Sequence, residues 1–260
     1  MRSLFILILA GLLVLLSGCG LPGAPLAPSL HIPKPVQDLR AERKGNDVLL
    51  SWTSPVESTD GTLVRKPGKM IVSRAVGSNN FVNIAEETLR PALSEDQNEK
   101  ITITDSLGSI LQSSTPPDFV TYRVIAVGER NRTAGPGNSV QVSALPVLPP
   151  PSNIDLRLIP EGVEISFAVG SSTPLPNQSG VQYLYRVLRR ADAAKGEPVV
   201  VAQLEPTAAT LKVVDSKIEW ESTYDYWITP ITHWQAGSRS GDVEGLDSST
   251  AKILAHDVFP

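Results

Sequence analysis

Cysteine is almost missing from this chain of 260 residues, because its one cysteine is Cys19. That count excludes a disulfide within the chain, and it excludes a thiolate metal site or a cysteine nucleophile anywhere after residue 19. Histidine is nearly as scarce, with His31, His233 and His256 as the three copies. Only His233 lies near a candidate domain body. A hydrolytic triad of nucleophile, histidine and acid therefore has one candidate histidine.

The short motifs of common enzymes are also lacking. The sequence has no Gly-x-Ser-x-Gly nucleophile elbow, no His-Glu-x-x-His and no glycine-rich phosphate loop. The acidic stretch 94–99 does not follow the order of a calcium-binding loop, so we interpret it as a solvated connection, with a weak cation site as the alternative. We therefore expect a protein that is not an enzyme, has no catalytic residues and needs neither cofactor nor metal.

Charge is low and evenly spread. The chain carries 23 Lys and Arg against 27 Asp and Glu, which gives a net charge of −4, and the basic residues are scattered. A nucleic-acid partner is not expected, because its phosphates require Lys and Arg gathered on one surface. The 22 prolines and 19 glycines instead indicate many turns, which is typical of all-β proteins with short strands.

The N-terminus has the three parts of an export signal. Residues 1–3 are a short positive region, residues 4–16 are apolar, and Leu16-Ser17-Gly18-Cys19 follows. An apolar run of about 13 residues is too short for a typical membrane-spanning helix, which needs about 20. The last four residues resemble the lipobox of bacterial lipoproteins. An ordinary signal peptide with an incidental cysteine and an uncleaved anchor are the alternatives.

The lipoprotein resemblance implies that Cys19 is acylated and becomes the first residue of the mature protein. Membrane lipid is then a partner through Cys19, and the rest of the chain lies in the cell envelope, outside the cytoplasm. Gly20 follows Cys19, and the absence of aspartate there favours the outer membrane if two membranes are present. The proline-rich residues after Cys19 are predicted to form an extended tether.

The remainder of the chain repeats one pattern. Asp-Val-Leu-Leu-Ser-Trp at residues 47–52 matches Gly-Val-Glu-Ile-Ser-Phe at 162–167, and residues 122–127 match 226–231. Large apolar residues alternate with others in each stretch, so they share one face of a strand. A period of about a hundred residues indicates tandem domains and not a solenoid, whose units have about 20–50 residues.

Each repeat contains seven short runs with strand-like patterns and no helical stripe. Seven such runs predict a sandwich of two antiparallel sheets in each repeat. The predicted strands are 36–42, 47–53, 69–76, 80–86, 100–105, 118–128 and 138–144 in the first repeat, and 153–158, 162–168, 181–190, 197–204, 209–214, 222–232 and 246–254 in the second.

Both halves resemble fibronectin type III domains over residues 35–255. The family places Trp in its second strand, as at Trp52, and a "tyrosine corner" in its penultimate strand, as at Tyr224. The first repeat has Val120 at the corner position, and in the second repeat Phe167 and Pro230 replace the usual Trp and Ala. The resemblance implies an all-β fold of two tandem immunoglobulin-like sandwiches.

The predicted organisation has six segments. They are a signal peptide (1–18), the acylated cysteine and tether (19–34), the first domain (35–145), a proline-rich linker (146–152), the second domain (153–255) and a C-terminal tail (256–260). For the end of the chain we hypothesise that the natural product continues into a third similar domain. A short frayed tail is the alternative.

A candidate binding face lies in the second repeat. Trp227 follows Tyr226 in a strand, so the two side chains point to opposite faces and Trp227 points to solvent. If the leucines of the neighbouring strand face outward, Leu184 and Leu188 lie beside Trp227, and Arg186 or Arg190 flanks it. Packing between domains or at a rim is the alternative.

The sequence does not identify a ligand. We expect a binding or spacer module with an envelope protein or a glycan as its partner. An accessory subunit of an extracytoplasmic enzyme and a component of envelope assembly are the alternatives. Asp105 and Asp215 each end a strand, and we interpret them as turn residues.

Overall fold

The computed structural model describes residues 31–97, 99–111, 119–170, 179–191 and 197–258. The predicted signal peptide, Cys19 and the tether up to residue 30 lie outside these residues. Within the described ranges, no helix combines the length and the apolar character needed to span a membrane.

Fifteen β-strands make up nearly all of the regular structure in these ranges. They are β1 (Arg40–Lys44), β2 (Asp47–Thr53), β3 (Gly68–Val76), β4 (Val82–Leu89), β5 (Lys100–Ser106), β6 (Phe119–Val127), β7 (Pro136–Ser143), β8 (Ser152–Ile159), β9 (Gly162–Ala168), β10 (Val181–Ala191), β11 (Val199–Leu204), β12 (Thr210–Asp215), β13 (Thr223–Ala236), β14 (Arg239–Glu244) and β15 (Ala251–Leu254). A helical turn, Gly108–Leu111, and a 3₁₀ turn, Glu129–Asn131, complete the list.

Strands β1–β7 form a first sandwich, in which β1, β2 and β5 are one sheet and β4, β3, β6 and β7 are the other. The alternating apolar residues of β2 and β6 meet between the two sheets. Trp52 is 1% exposed, and its indole Nε1 donates to Met70 Sδ at 3.3 Å. This apolar core includes residues from Val36 to Ala144.

Strands β8–β15 form a second sandwich with the same arrangement. Here β12, β9 and β8 are one sheet, and β11, β10 and β13 form the other, with β14 and β15 both pairing with β13. Phe167 is fully buried and makes an edge-to-face contact with Tyr185. The core residues run from Leu148 to Ala255, so the two cores share no residue. The predicted fold of two tandem immunoglobulin-like sandwiches is confirmed.

The last part of the second sandwich differs from the prediction. Instead of one strand over 246–254, β13 continues to Ala236 and turns back as β14, and β15 forms after a break. Gly237 has a φ of 62° and stands first in the two-residue turn that joins β13 to β14. Gly-Ser between two strands is a known hairpin signal, and it was missed because Arg239–Glu244 contains few apolar residues.

The β13–β14 hairpin reaches the first sandwich. Lys44 of β1 pairs in parallel with Glu244 of β14, and the Gly45 N–H donates to the Glu244 carbonyl at 2.7 Å. The rings of Phe119 and Trp234 make an edge-to-face contact across the same junction, and their centroids are 5.4 Å apart. One sheet of each sandwich therefore belongs to a single hydrogen-bonded sheet.

Both ends of the first sandwich are also fixed by short segments. Pro33 forms a bridge with Ser58, so the described end of the predicted tether lies against the first sandwich. In the linker, the Pro146 carbonyl accepts a hydrogen bond from Thr232 Oγ1 at 2.8 Å, and Leu148 enters the second core.

Candidate functional site

The two sandwiches match position by position around their third strand. A register shift falls between Val72 and Ser73 where β3 pairs with β4, and between Val187 and Leu188 where β10 pairs with β11. Two residues beyond each valine stands an arginine, which pairs in register with a tyrosine of the neighbouring strand. Every residue of one face can therefore be compared with its counterpart in the other sandwich.

In the first sandwich, Asp105 of β5 joins the two sheets. Its carboxylate accepts hydrogen bonds from Arg74 Nη1 at 2.8 and 2.9 Å and from the Tyr122 hydroxyl at 2.7 Å. Burial, together with the adjacent Asp105 carboxylate, raises the pKa of Tyr122 above its ordinary value. Tyr122 therefore remains protonated and acts as a donor.

Asp215 of β12 does the same in the second sandwich. It accepts hydrogen bonds from Arg189 Nη1 at 2.7 Å and from the Tyr226 hydroxyl at 2.9 Å, and the pKa of Tyr226 is raised by burial and by the carboxylate. Asp215 also accepts from the Lys217 N–H, which is turn chemistry. The prediction that Asp105 and Asp215 are turn residues accounts for the bond from Lys217. It does not account for the hydrogen bonds that each aspartate accepts from an arginine and a tyrosine, and we call these two groups the Arg–Asp–Tyr triads.

Trp227 lies on the outer face of β13, because Tyr226 and Ile228 on either side of it are fully buried in the core. Leu188 stands directly opposite Trp227, and Val200 of β11 stands opposite Leu188. Residues paired in this way share one face of a sheet. Val200, Leu188 and Trp227 thus form an apolar row across three strands, and Val200 is 49% exposed.

The first sandwich has a polar row at the same place. Asn83, Ser73 and Arg123 occupy the positions of Val200, Leu188 and Trp227. Ser73 Oγ donates to Asn83 Oδ1 at 3.0 Å, and the Arg123 guanidinium covers the ring of Phe81 at 3.9 Å. The first sandwich therefore folds without an apolar row at this place. Of the two sandwiches, only the second has one.

Of the two candidate arginines, Arg190 is the one beside the tryptophan. It is exposed, and its guanidinium lies 5.7 Å from the centre of the Trp227 ring. A cation at that distance from an aromatic face is held by the ring quadrupole. Asp225 pairs in register with Arg190 and makes an ion pair with Lys252 at 3.6 Å.

The other candidates lie in neighbouring rows. Arg186 extends across β13 to form ion pairs with Asp242 at 2.8 Å and Glu244 at 3.1 Å, so its terminal nitrogens are already bound. Leu184 stands opposite Ile231, which is fully buried. The predicted site therefore divides. Trp227, Leu188 and Arg190 lie together. Leu184 lies outside this group, and Arg186 binds the strand that reaches the first sandwich.

Charged side chains connect that junction. Lys44 of the first sandwich binds Glu244 at 3.3 Å and Asp247 at 2.9 Å, and His233 Nδ1 lies 2.7 Å from Asp242 Oδ1. Burial alone raises the pKa of Asp242, but hydrogen bonds from His233 and Arg186 outweigh burial and hold that pKa below its ordinary value. The Arg186 network is therefore a contact between the sandwiches and not a ligand site.

The structure also shows the surroundings of the predicted tyrosine corner and of the acidic stretch. Tyr224 is a tyrosine corner: its hydroxyl accepts from the Glu219 N–H at 2.8 Å, and Val120 is buried at the matching position. Glu99 of the acidic stretch binds Arg90 at 2.8 Å. Among the residues that the structure describes, no group of three or more His, Cys, Asp or Glu could hold a metal ion.

Val200 is the site residue that the sequence analysis missed. The sequence signal was the run of three valines at 199–201. Such a run is typical of an ordinary core strand, and the sequence does not show that this strand lies at the edge of a sheet. The triads also had a signal, since Asp215 is the last residue of β12 and Asp105 is the second-last residue of β5, the matching strand.

No protein-family model and no curated protein matches the chain. Among solved structures, the chain is similar to the FN1–FN3 domains of chicken CNTN1, with 14% identity and a TM-score of 0.37, over 93% of this chain and 75% of that one. It is also similar to the chicken interferon gamma receptor alpha chain, with 10% identity and a TM-score of 0.34, over 86% of this chain and 99% of that one. The molecule itself consists of two β-sandwiches with matching strand orders.

Proposed function

We propose that this protein is a non-catalytic lipoprotein of the cell envelope, anchored through acylated Cys19, that binds an envelope protein or glycan through the apolar row of its second sandwich. The observation that carries the binding role is the contrast between the two sandwiches. Val200, Leu188 and Trp227 stand where the first sandwich has Asn83, Ser73 and Arg123. Val200 is exposed, and Leu188 and Trp227 are half-buried on this outer face. Apolar clusters on an outer face often mark partner sites, which supports a binding role.

The chemistry of the row suits a compact contact. Trp227 offers a large flat surface with few rotatable bonds, and aromatic residues of this kind dominate the energetics of binding sites. Arg190 adds a planar donor beside the ring. A carboxylate or a sugar hydroxyl that lies over Trp227 would meet both an apolar surface and a donor.

Trp227→Ala is expected to weaken binding to isolated envelope protein or glycan fractions by about thirtyfold or more, since truncation of a central aromatic costs at least about 2 kcal/mol. The melting temperature should change little, because the ring lies outside the core. Surface plasmon resonance of immobilised wild type and variant provides the measurement.

The matched control is Val214→Ala, which removes an exposed apolar side chain, 42% exposed, from the opposite sheet of the same sandwich. Val214→Ala should bind like wild type. Unchanged binding by folded Trp227→Ala would remove the row from the proposal.

The anchor has a separate test. Growth with a radioactive fatty acid should label the wild-type protein, and Cys19→Ala should remove the label entirely, because the acylated thiol is absent. Ser17→Ala keeps a small residue before the cysteine and should still be labelled. Equal labelling of Cys19→Ala and wild type would contradict the anchor, while leaving the binding role of Trp227 open to its own measurement.

A second function, that of a rigid spacer, is favoured by the junction. The β1–β14 pair and the Phe119–Trp234 contact connect the two sandwiches through both backbone and side chains. A spacer of this kind would hold an enzyme subunit or an assembly partner at a fixed distance from the membrane. The outer membrane is the proposed location where two membranes exist.

A further inference from the structure

The apolar row ends at an open strand edge. In the part of the chain that the structure describes, β11 pairs with β10 alone, so one side of its backbone has no strand partner. The six residues Val199–Leu204 include no charged residue and no proline. Val199 and Val200 are 50% and 49% exposed. An uncharged edge strand that is rich in β-branched residues is a template for another strand.

The first sandwich protects its equivalent edge. Strand β4 pairs with β3 as β11 pairs with β10, and the shared register shift aligns Asn83 with Val200 and Glu86 with Gln203. Charges on an edge strand oppose the approach of a second strand. The equivalent edge strands β4 and β11 thus differ in charge, which is the property that favours or opposes pairing with another strand.

We propose that β11 pairs antiparallel with β11 of a second copy of this chain, which forms a two-fold symmetric dimer. Because Val199–Leu204 contains no charged residue, pairing of two copies along these six residues brings no like charges together. A two-fold contact also uses up both edges, so assembly stops at two copies. This dimer goes beyond the proposed binding role, and it would place two apolar rows on one continuous sheet face.

The contact is small. A strand of six residues is about 20 Å long, and pairing along one edge buries less surface than the roughly 1,200 Å² of a typical stable interface. The dimer should therefore form at high concentration in solution. On a membrane the proposed Cys19 anchor raises the local concentration of the chains, and dimers should dominate there.

The test uses the single cysteine of the chain. In a Cys19→Ser background the introduced thiol is the only one present, so single cysteines are placed at residues 200, 201, 202 and 203 in turn. In a two-fold antiparallel pair the residue at the symmetry axis lies opposite its own copy, and an axis through the middle of β11 places that residue among these four. We expect oxidation of the concentrated full chain in mild detergent to crosslink at least one of the four variants into dimers. The control Val82→Cys, at the exposed start of β4, should stay monomeric.

Sedimentation equilibrium of the Cys19→Ser chain gives the second measurement. Val200→Asn with Gln203→Glu replaces two β11 residues with their β4 counterparts, Asn83 and Glu86, and it should weaken dimerisation at least tenfold. The matched variant Asn83→Gln on β4 should dimerise as the parent does. A monomer at every concentration, crosslinking no stronger than that of Val82→Cys, or open-ended polymers would each overturn the proposal. Because neither measurement involves lipid, failure of the Cys19 anchor leaves the result unaffected.

Discussion

Trp52→Ala should lower the free energy of unfolding of the first sandwich by about 3–5 kcal/mol, because the change leaves a cavity in a closely packed core. Trp52 is 1% exposed, and its indole also donates to Met70 Sδ. A loss of that size is a large part of the total stability of one domain, which is typically about 5–15 kcal/mol. The second sandwich should keep most of its stability, since the two cores have no residue in common.

Phe167→Ala is the matched variant for the second sandwich. Phe167 is fully buried and contacts Tyr185 edge to face, so its removal should cost a similar amount there. Amide hydrogen exchange read by mass spectrometry separates the two effects, because each peptide reports on the strands that it contains. We expect faster exchange in β2, β3 and β6 for Trp52→Ala, and in β9, β10 and β13 for Phe167→Ala.

The contrary result is equal loss of protection in both sandwiches for either variant. It would mean that the β1–β14 pair and the Phe119–Trp234 contact unite the two cores into one cooperative unit.

The sequence was sufficient where alternation determines the structure. Val48, Leu50 and Trp52, and their counterparts Val163, Ile165 and Phe167, were expected on one face and are all at most 1% exposed. Parity also predicted the outward side chain of Trp227, because buried Tyr226 adjoins it. A period of two is a local property of a strand, so one sequence is enough to reveal it.

The remaining features depend on which strands become neighbours. Arg186 or Arg190 was predicted to flank Trp227, and Arg190 does. Arg186 instead forms ion pairs with Asp242 and Glu244 across β13, on a strand that was not predicted. Val200 belongs to the row only because β11 pairs with β10 in that register. Pairing of distant segments is a tertiary property, and residue patterns within one segment carry no record of it.

The Arg–Asp–Tyr triads also depend on which strands become neighbours, because Asp105 and Asp215 meet their partners across the two sheets. Asp215 has a side chain that is 4% exposed, and it balances the charge of Arg189. Asp215→Ala leaves a buried guanidinium without its carboxylate and leaves the Tyr226 hydroxyl without an acceptor. Removal of one partner from a buried ion pair typically costs about 3–5 kcal/mol, and we expect a loss in that range.

Denaturant midpoints at constant slope give the measurement. Asp105→Ala should cost less than Asp215→Ala, because Asp105 is 13% exposed and water can partly replace it. Arg189→Met combined with Asp215→Leu removes both charges and should recover most of the lost stability. In the exposed Lys69–Glu86 pair, Glu86→Ala should change stability by less than about 1 kcal/mol. If Asp215→Ala costs no more than Glu86→Ala, the triad does not join the two sheets energetically.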